Sequence, residues 1–139
     1  FLWDNYPVND GAVKSNLLQL RAFPQSHSQL EGKVSGHAVN PMNQPWLSRI
    51  PLASLPLAYQ QTKDYSPEHA FQVICTELCG SPLARQLAND IPALQDRGLK
   101  HLSPIEQQTL RHNYHQYTNT PFAQEIIDWL DGVYTFDPA

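Results

Sequence analysis

The 139 residues are 41% hydrophobic and 16% charged, which is typical of a folded domain and excludes intrinsic disorder as the default state. Nine basic and thirteen acidic residues give a formal charge of −4, and the basic residues form no cluster, so nucleic-acid binding is excluded. No apolar run approaches the roughly 20 residues that cross a bilayer, so we predict no membrane partner. The sequence indicates no cofactor and leaves the cellular compartment open.

The first forty residues predict a strand, a short helix and a second strand. Residues 1–3 are apolar, and residues 4–11 have the Asn, Asp, Pro and Gly content of a loop that leaves a strand. Residues 34–39 carry small and β-branched side chains and run into a proline at 41, which disfavours helical geometry just before it. The leucines at 17, 18 and 20 predict a short helix between the strands. A spacing of about thirty residues is typical of a βαβ unit with parallel strands.

A lone pair of parallel strands leaves a sheet edge unpaired on each side. Parallel strands normally lie inside larger sheets that helices cover. We therefore expect an upstream portion of the same sheet to pair with residues 1–3. We also expect self-association when the chain stands alone.

Pairs of a hydroxyl residue and a proline predict four helix starts further along the chain. Ser or Thr can accept a hydrogen bond from an unpaired N–H at the start of a helix, and proline tolerates the first helical position because that position needs no donor. Glu106 lies three residues after Ser103, which adds a capping box. The pairs are Ser66-Pro67, Ser81-Pro82, Ser103-Pro104 and Thr120-Pro121.

Apolar residues at spacings of three and four follow each start, so residues 67–130 are predicted to form a small helical assembly. Gly80, Gly98 and Gly132 lie where helices could end, and Pro92 is predicted to end or bend the second helix. The aromatic residues of this region are predicted to pack in the core rather than to bind carbohydrate. They are Tyr114, Tyr117, Trp129, Tyr134 and Phe136.

No metal site is predicted. Cys75 and Cys79 lie four residues apart on a predicted helix, a spacing that suits a disulfide poorly, so we expect free, buried thiols. His112 and His115 lie three apart on another predicted helix with no obvious third ligand, so we expect an exposed or hydrogen-bonded pair.

Residues 3–10, WDNYPVND, resemble almost letter for letter a loop of glycoside hydrolase family 84. This family contains bacterial β-N-acetylglucosaminidases, hyaluronidase-like enzymes and the eukaryotic O-GlcNAcases. The resemblance continues at residues 40–42, NPM, and at residues 47–53, LSRIPLA, which are similar to the segment that leaves the last strand of the family's barrel. It extends over about residues 1–60 and, more loosely, to residues 65–69.

The resemblance implies a fold that is mainly α with a short parallel β portion. Residues 1–60 would be the end of a (β/α)8 catalytic barrel, and residues 61–139 a helical, bundle-like region behind it. It also implies that Trp3 and Asn5 help to form the pocket for the 2-acetamido group of N-acetylglucosamine, while Asp10 and Asn40 hydrogen-bond sugar hydroxyls. These residue types suit the task, because carboxylate and amide groups pair with hydroxyls and an indole offers a flat apolar wall.

In this family hydrolysis is retaining and substrate-assisted: the acetamido oxygen of the substrate attacks the anomeric carbon, and two adjacent aspartates assist. The sequence contains no Asp-Asp pair, so we expect recognition residues without catalytic residues, and no activity from the chain alone. Without the resemblance, residues 9–11 would indicate a turn and Trp3 a core residue. The alternative function is a non-catalytic helical interaction or scaffold module.

Overall fold

The computed structural model describes residues 1–136 and is mainly helical, with one sheet of two short strands. Strand β1 spans Leu2–Asp4 and strand β2 spans His37–Val39. The strands are parallel, and Trp3 pairs with Ala38. Both predicted strands and their direction are confirmed. The second strand begins later than its pattern suggested, because residues 31–33 form a turn.

The short helix predicted at the leucines between the strands is wrong. Leu18 and Leu20 are fully buried, but their backbone N–H groups bond to the distant Leu94 carbonyl at 2.9 Å and to Oε1 of Gln95 at 2.8 Å. Distant acceptors thus replace the acceptor four residues earlier that a helix would provide. The regular structure between the strands is helix α1 (Gly11–Lys14) and a 3₁₀ turn (Gln25–Gln29).

Helix α2 spans Pro45–Gln61 and was not predicted from the sequence. It contains Pro51 and Pro56, and an interior proline normally breaks a helix because it lacks the backbone N–H. The Ser54 hydroxyl donates to the Pro51 carbonyl at 2.6 Å and accepts from the Phe23 N–H at 2.9 Å. The side chain therefore ties this part of α2 to the chain before the 3₁₀ turn.

Local capping signals locate three of the four later helix starts. Ser66, Ser103 and Thr120 each accept a hydrogen bond from the backbone N–H three residues further on, and the predicted capping box at Ser103 is present. Ser81 does not cap its helix, because it is the first helical residue and Gly80 precedes it. The helices are α3 (Pro67–Cys79), α4 (Ser81–Ile91), α5 (Pro104–His115) and α6 (Pro121–Leu130).

The predicted helix ends are also found. Gly80 follows α3, and α4 ends immediately before Pro92. A π-helical turn (Pro92–Arg97) then leads to Gly98. Gly132 lies one residue beyond the cap of α6.

One hydrophobic core runs through the described residues from Leu18 to Leu130. Helix α2 contacts both α3 and α6, so it links the start of the chain to the last helix. The buried indole of Trp129 donates to the Ser15 carbonyl at 3.2 Å across the same core. Tyr114 is buried as predicted, whereas Phe136 is 47% exposed. The domain boundary at residues 60 and 61 stays a prediction.

The close approach at Gly98 gives the first testable prediction. Gly98 and Gly80 share a backbone conformation that other residues rarely adopt, with φ of 83° and 82°. A Cβ at Gly98 would lie 2.7 Å from the Asn16 carbonyl oxygen, whereas a Cβ at Gly80 meets nothing within 4 Å. We expect Gly80→Ala to cost about 1–3 kcal/mol of unfolding free energy through strain alone, and Gly98→Ala to cost about 1–2 kcal/mol more through the clash.

Chemical denaturation of the two variants and the parent chain measures both costs. Gly80→Ala is the matched control, because it introduces the same strain without the contact. Equal losses in the two variants would show that the segment around Asn16 yields, and would contradict the prediction.

Candidate functional site

The candidate site lies where the two parallel strands end. Asp4 and Val39 are paired, and the Asn40 N–H donates to the Asp4 carbonyl at 3.0 Å just beyond the last pair. Asn5 and Asn40 therefore follow neighbouring strand ends at the same edge of the sheet. Asn5 is exposed and Asn40 is half-buried.

Trp3 and Asn5 contact each other at this edge. The indole N–H of Trp3 donates to Oδ1 of Asn5 at 3.0 Å, and the Trp3 side chain is 64% exposed. Alternation along the strand places Trp3 on the face of the sheet opposite to Leu2 and Asp4. The structure thus presents a flat aromatic surface beside an amide, instead of the core tryptophan that local chemistry alone indicates.

Asn9 holds the loop after β1 against the loop after β2. It is fully buried, and its amide NH₂ donates to the Leu17 carbonyl at 2.9 Å and to Oε1 of Gln44 at 2.7 Å. Its Oδ1 accepts from the Asn43 N–H at 2.8 Å. Sequence reasoning missed this role, because an Asn before Asp and Gly is typical of a turn.

Asp10 follows Asn9 in the sequence, but its side chain is exposed, whereas that of Asn9 is buried. Asp10 occupies the position before α1 without capping that helix, and among residues 1–136 its carboxylate has no hydrogen-bond partner. It borders a depression of about 580 Å³. The other residues that line this depression are Gly11, Ser15, Asn43, Val133, Tyr134, Thr135 and Phe136.

The four predicted site residues are brought together only in part. Trp3 and Asn5 are in contact, and Asn40 is joined to the same strand end through its backbone. Asp10 has no direct bond to these three in the described part of the chain, and it is linked to the second loop through its neighbour Asn9.

A cluster of Asp4, His27 and His37 lies behind this edge and was missed from the sequence. Nε2 of His27 is 2.7 Å and Nε2 of His37 is 3.1 Å from the same Asp4 atom, Oδ2. Burial raises the pKa of Asp4, but the hydrogen bonds and positive potential of the two histidines outweigh burial, so the pKa is lowered overall. Strand alternation could have placed Asp4 and His37 on one face, since His37 pairs with Leu2, but it could not have located His27.

A second groove lies on the helical side, away from the candidate site. It has a volume of about 790 Å³, and Arg21, Tyr65, Glu68, Phe71 and Ile91 are among its lining residues. It contains none of the four predicted site residues. Cys75 is buried and Cys79 half-buried, and both are free thiols as predicted. His112 and His115 are exposed.

The sequence is similar to a known family and to one characterised protein. The family model described as beta-N-acetylglucosaminidase matches residues 1–94. Contactin rig-6 of Caenorhabditis elegans is 33% identical over 84 residues, which cover 60% of this chain and 6% of that protein. No solved structure matches the chain significantly. Within residues 1–136, no helix combines the length and the apolar character that crossing a membrane requires.

Proposed function

We propose that this chain, which belongs to the β-N-acetylglucosaminidase family, is the C-terminal part of a retaining, substrate-assisted enzyme of glycoside hydrolase family 84. The observation that carries the proposal is the place where β1 and β2 end: Trp3 and Asn5 are in contact there, and the Asn40 N–H donates to the Asp4 carbonyl. Barrel enzymes build their sites from the residues that follow their parallel strands. The matched residues include the whole of this edge.

The proposed substrate is a terminal N-acetylglucosamine on a glycoprotein or glycan. Trp3 and Asn5 would line the pocket for its 2-acetamido group, where the exposed indole offers an apolar wall beside a polar amide. Asn40 and Asp10 would hydrogen-bond the sugar hydroxyls. The carboxylate of Asp10 suits this role, because it is exposed and its acceptor positions are free among the described residues.

The catalytic step requires residues that the chain does not contain. Substrate-assisted hydrolysis uses one aspartate to orient the acetamido group and its neighbour as general acid and then base. The sequence has no adjacent aspartates, and Asp4 is already engaged by two histidines. An upstream portion of the barrel would supply the pair, and it is the partner that we propose for this chain.

The unpaired edges of the two-stranded sheet support an upstream partner. The sheet consists of β1 and β2 alone among the described residues, and Phe1 and Trp3 are 81% and 64% exposed beside it. Exposed strand edges favour pairing with further strands. We therefore also expect the isolated chain to self-associate.

The direct test is turnover of an aryl N-acetylglucosaminide. The purified chain should release no more aryl alcohol than a buffer blank, and adding a fragment that carries the upstream barrel strands should restore hydrolysis. Turnover by the chain alone would contradict the proposal that catalysis needs an aspartate pair from outside this chain. Activity of the upstream fragment that is unchanged by adding the chain would contradict the proposed recognition role.

The role of Asp10 can be tested in the complete enzyme. Asp10→Ala removes a charged hydrogen-bond acceptor, so we expect kcat/KM to fall by about 30- to 150-fold, which corresponds to about 2–3 kcal/mol. Asp64→Ala is the matched control, because Asp64 is exposed in a 3₁₀ turn outside the candidate site. Equal kinetics of the two variants would contradict the role assigned to Asp10.

A further inference from the structure

We propose that Asp4, His27 and His37 form a binding site for a divalent transition-metal cation of the Zn²⁺ type. The site lies on the face of the sheet opposite to Trp3, where His27 of the 3₁₀ turn contacts Asp4 and Tyr59 of α2 contacts His37. It does not rest on the proposed function, because none of its three ligands has a role in sugar binding.

The distances suit a shared ion. The candidate ligand atoms of the three residues all lie within 4.8 Å of one another. In a tetrahedral zinc site with bonds of about 2.0–2.1 Å, neighbouring ligand atoms are about 3.3 Å apart. The separation of 3.1 Å between His37 and Asp4 is already close to that value, and the 2.7 Å between His27 and Asp4 needs to open by about half an ångström.

Two neighbouring groups orient the ligands. Nδ1 of His37 is 2.8 Å from the hydroxyl of Tyr59, and a proton on Nδ1 can be donated there, which leaves the Nε2 lone pair directed at the site. The second carboxylate oxygen of Asp4, Oδ1, accepts from the Tyr6 N–H at 3.2 Å. Outer contacts of this kind fix the ring and the carboxylate around a metal ion.

No second hydrogen bond fixes the tautomer of His27. Its Nδ1 is buried and has no hydrogen-bond partner among the described residues. Both histidines direct Nε2 at one oxygen of Asp4, so without an ion both rings must carry their proton on Nε2. No hydrogen-bond donor to Nδ1 holds His27 in that form, so the proton can move to Nδ1 and leave the Nε2 lone pair for the metal ion.

The surroundings keep the three side chains in place while leaving access. The side chains of His27, Asp4 and His37 are 19%, 15% and 6% exposed. The His27 ring packs 5.0 Å from the ring of Phe23 and 5.7 Å from that of His37. Three protein ligands in a partly open site leave a fourth position for water or another small ligand.

The ligand set selects the class of ion. Two imidazole nitrogens and one carboxylate oxygen suit zinc and related transition metals, whereas Mg²⁺ and Ca²⁺ are bound mainly by oxygen. Because Asp4 lies between Trp3 and Asn5, an ion bound here would also restrain the end of β1, where those two residues lie.

Titration of the full metal-free chain with CoCl₂ and ZnCl₂ tests the proposal. We expect one equivalent of Co²⁺ to give the intense visible absorption of a four-coordinate ion, and Zn²⁺ to displace it. His27→Ala should weaken Zn²⁺ binding by about a hundredfold, and Tyr59→Phe by about tenfold, since outer contacts of ligating histidines typically contribute 10- to 100-fold. The double variant His112→Ala with His115→Ala should bind as the parent does, because both histidines are exposed on α5.

Circular dichroism of the metal-free variants establishes that each one is folded before titration. No binding by the parent chain would overturn the proposal. Loss of binding in the His112 and His115 double variant, with His27→Ala unaffected, would overturn it as well, because the ion would then be held on α5.

Discussion

Replacing Asn9 by Ala should lower the free energy of unfolding by about 3 kcal/mol, the largest loss that we expect from a single side chain of the WDNYPVND segment. The Asn9 amide makes three hydrogen bonds in a fully buried position, two as donor and one as acceptor. Alanine removes all three and leaves the Leu17 carbonyl, the Gln44 side chain and the Asn43 N–H without that partner. A buried polar group left unpaired costs about 1–3 kcal/mol, although water entering the space recovers a part.

Asn5→Ala is the matched control for this loss. Asn5 belongs to the same segment, but it is exposed and accepts one bond from an exposed indole, so we expect a change within about 0.5 kcal/mol. Urea denaturation of both variants at one pH measures the difference. A loss at Asn9→Ala that is no larger than the loss at Asn5→Ala would show that the two loops do not depend on this anchor.

The starts of α3, α5 and α6 could be predicted from the sequence, because the residues that cap each helix lie within a few positions of one another. Ser103 and Glu106 form their capping box across three positions, so the sequence alone contains both partners. Helix α2 was missed for the opposite reason, since Pro51 and Pro56 interrupt the local pattern and distant contacts hold the helix together. The positions of Leu18 and Leu20 likewise depend on acceptors in the turn after α4.

A motif in the sequence names candidate site residues, but it does not show where the fold places them. The resemblance named Trp3, Asn5 and Asn40 as site residues, and that role stays a prediction. The structure places Asn5 and Asn40 directly after the two paired strands and Trp3 within β1. The resemblance could not tell the buried Asn9 from the exposed Asp10, because burial depends on the loop after β2. Contacts between residues far apart in sequence fix the position of His27 beside Asp4 and of Glu125 beside α2, and no local pattern contains them.

Replacing Glu125 by Ala should lower the free energy of unfolding by about 2–3 kcal/mol, because this carboxylate caps α2 from another helix. Gln44 precedes α2 without capping it, and Glu125 on α6 instead accepts from the Leu47 N–H at 2.8 Å and the Trp46 N–H at 3.2 Å. Alanine leaves both donors unpaired at the contact between α2 and α6. Gln124→Ala is the matched control, because Gln124 is the exposed neighbour on α6, and we expect a change within about 0.5 kcal/mol.

The pH dependence separates the charge of Glu125 from its hydrogen bonds. Burial raises the pKa of Glu125 above its ordinary 4.5, in spite of the two backbone hydrogen bonds that lower it. A carboxyl group whose pKa is higher in the folded than in the unfolded state contributes most stability below the unfolded pKa and loses it as pH rises through the folded pKa. Glu125→Gln cannot ionise, so its stability relative to the parent should improve as pH rises from 4 to 7. A relative loss for Glu125→Gln over this range, measured by denaturation at each pH, would mean that the ionised carboxylate stabilises α2 by more than its burial costs.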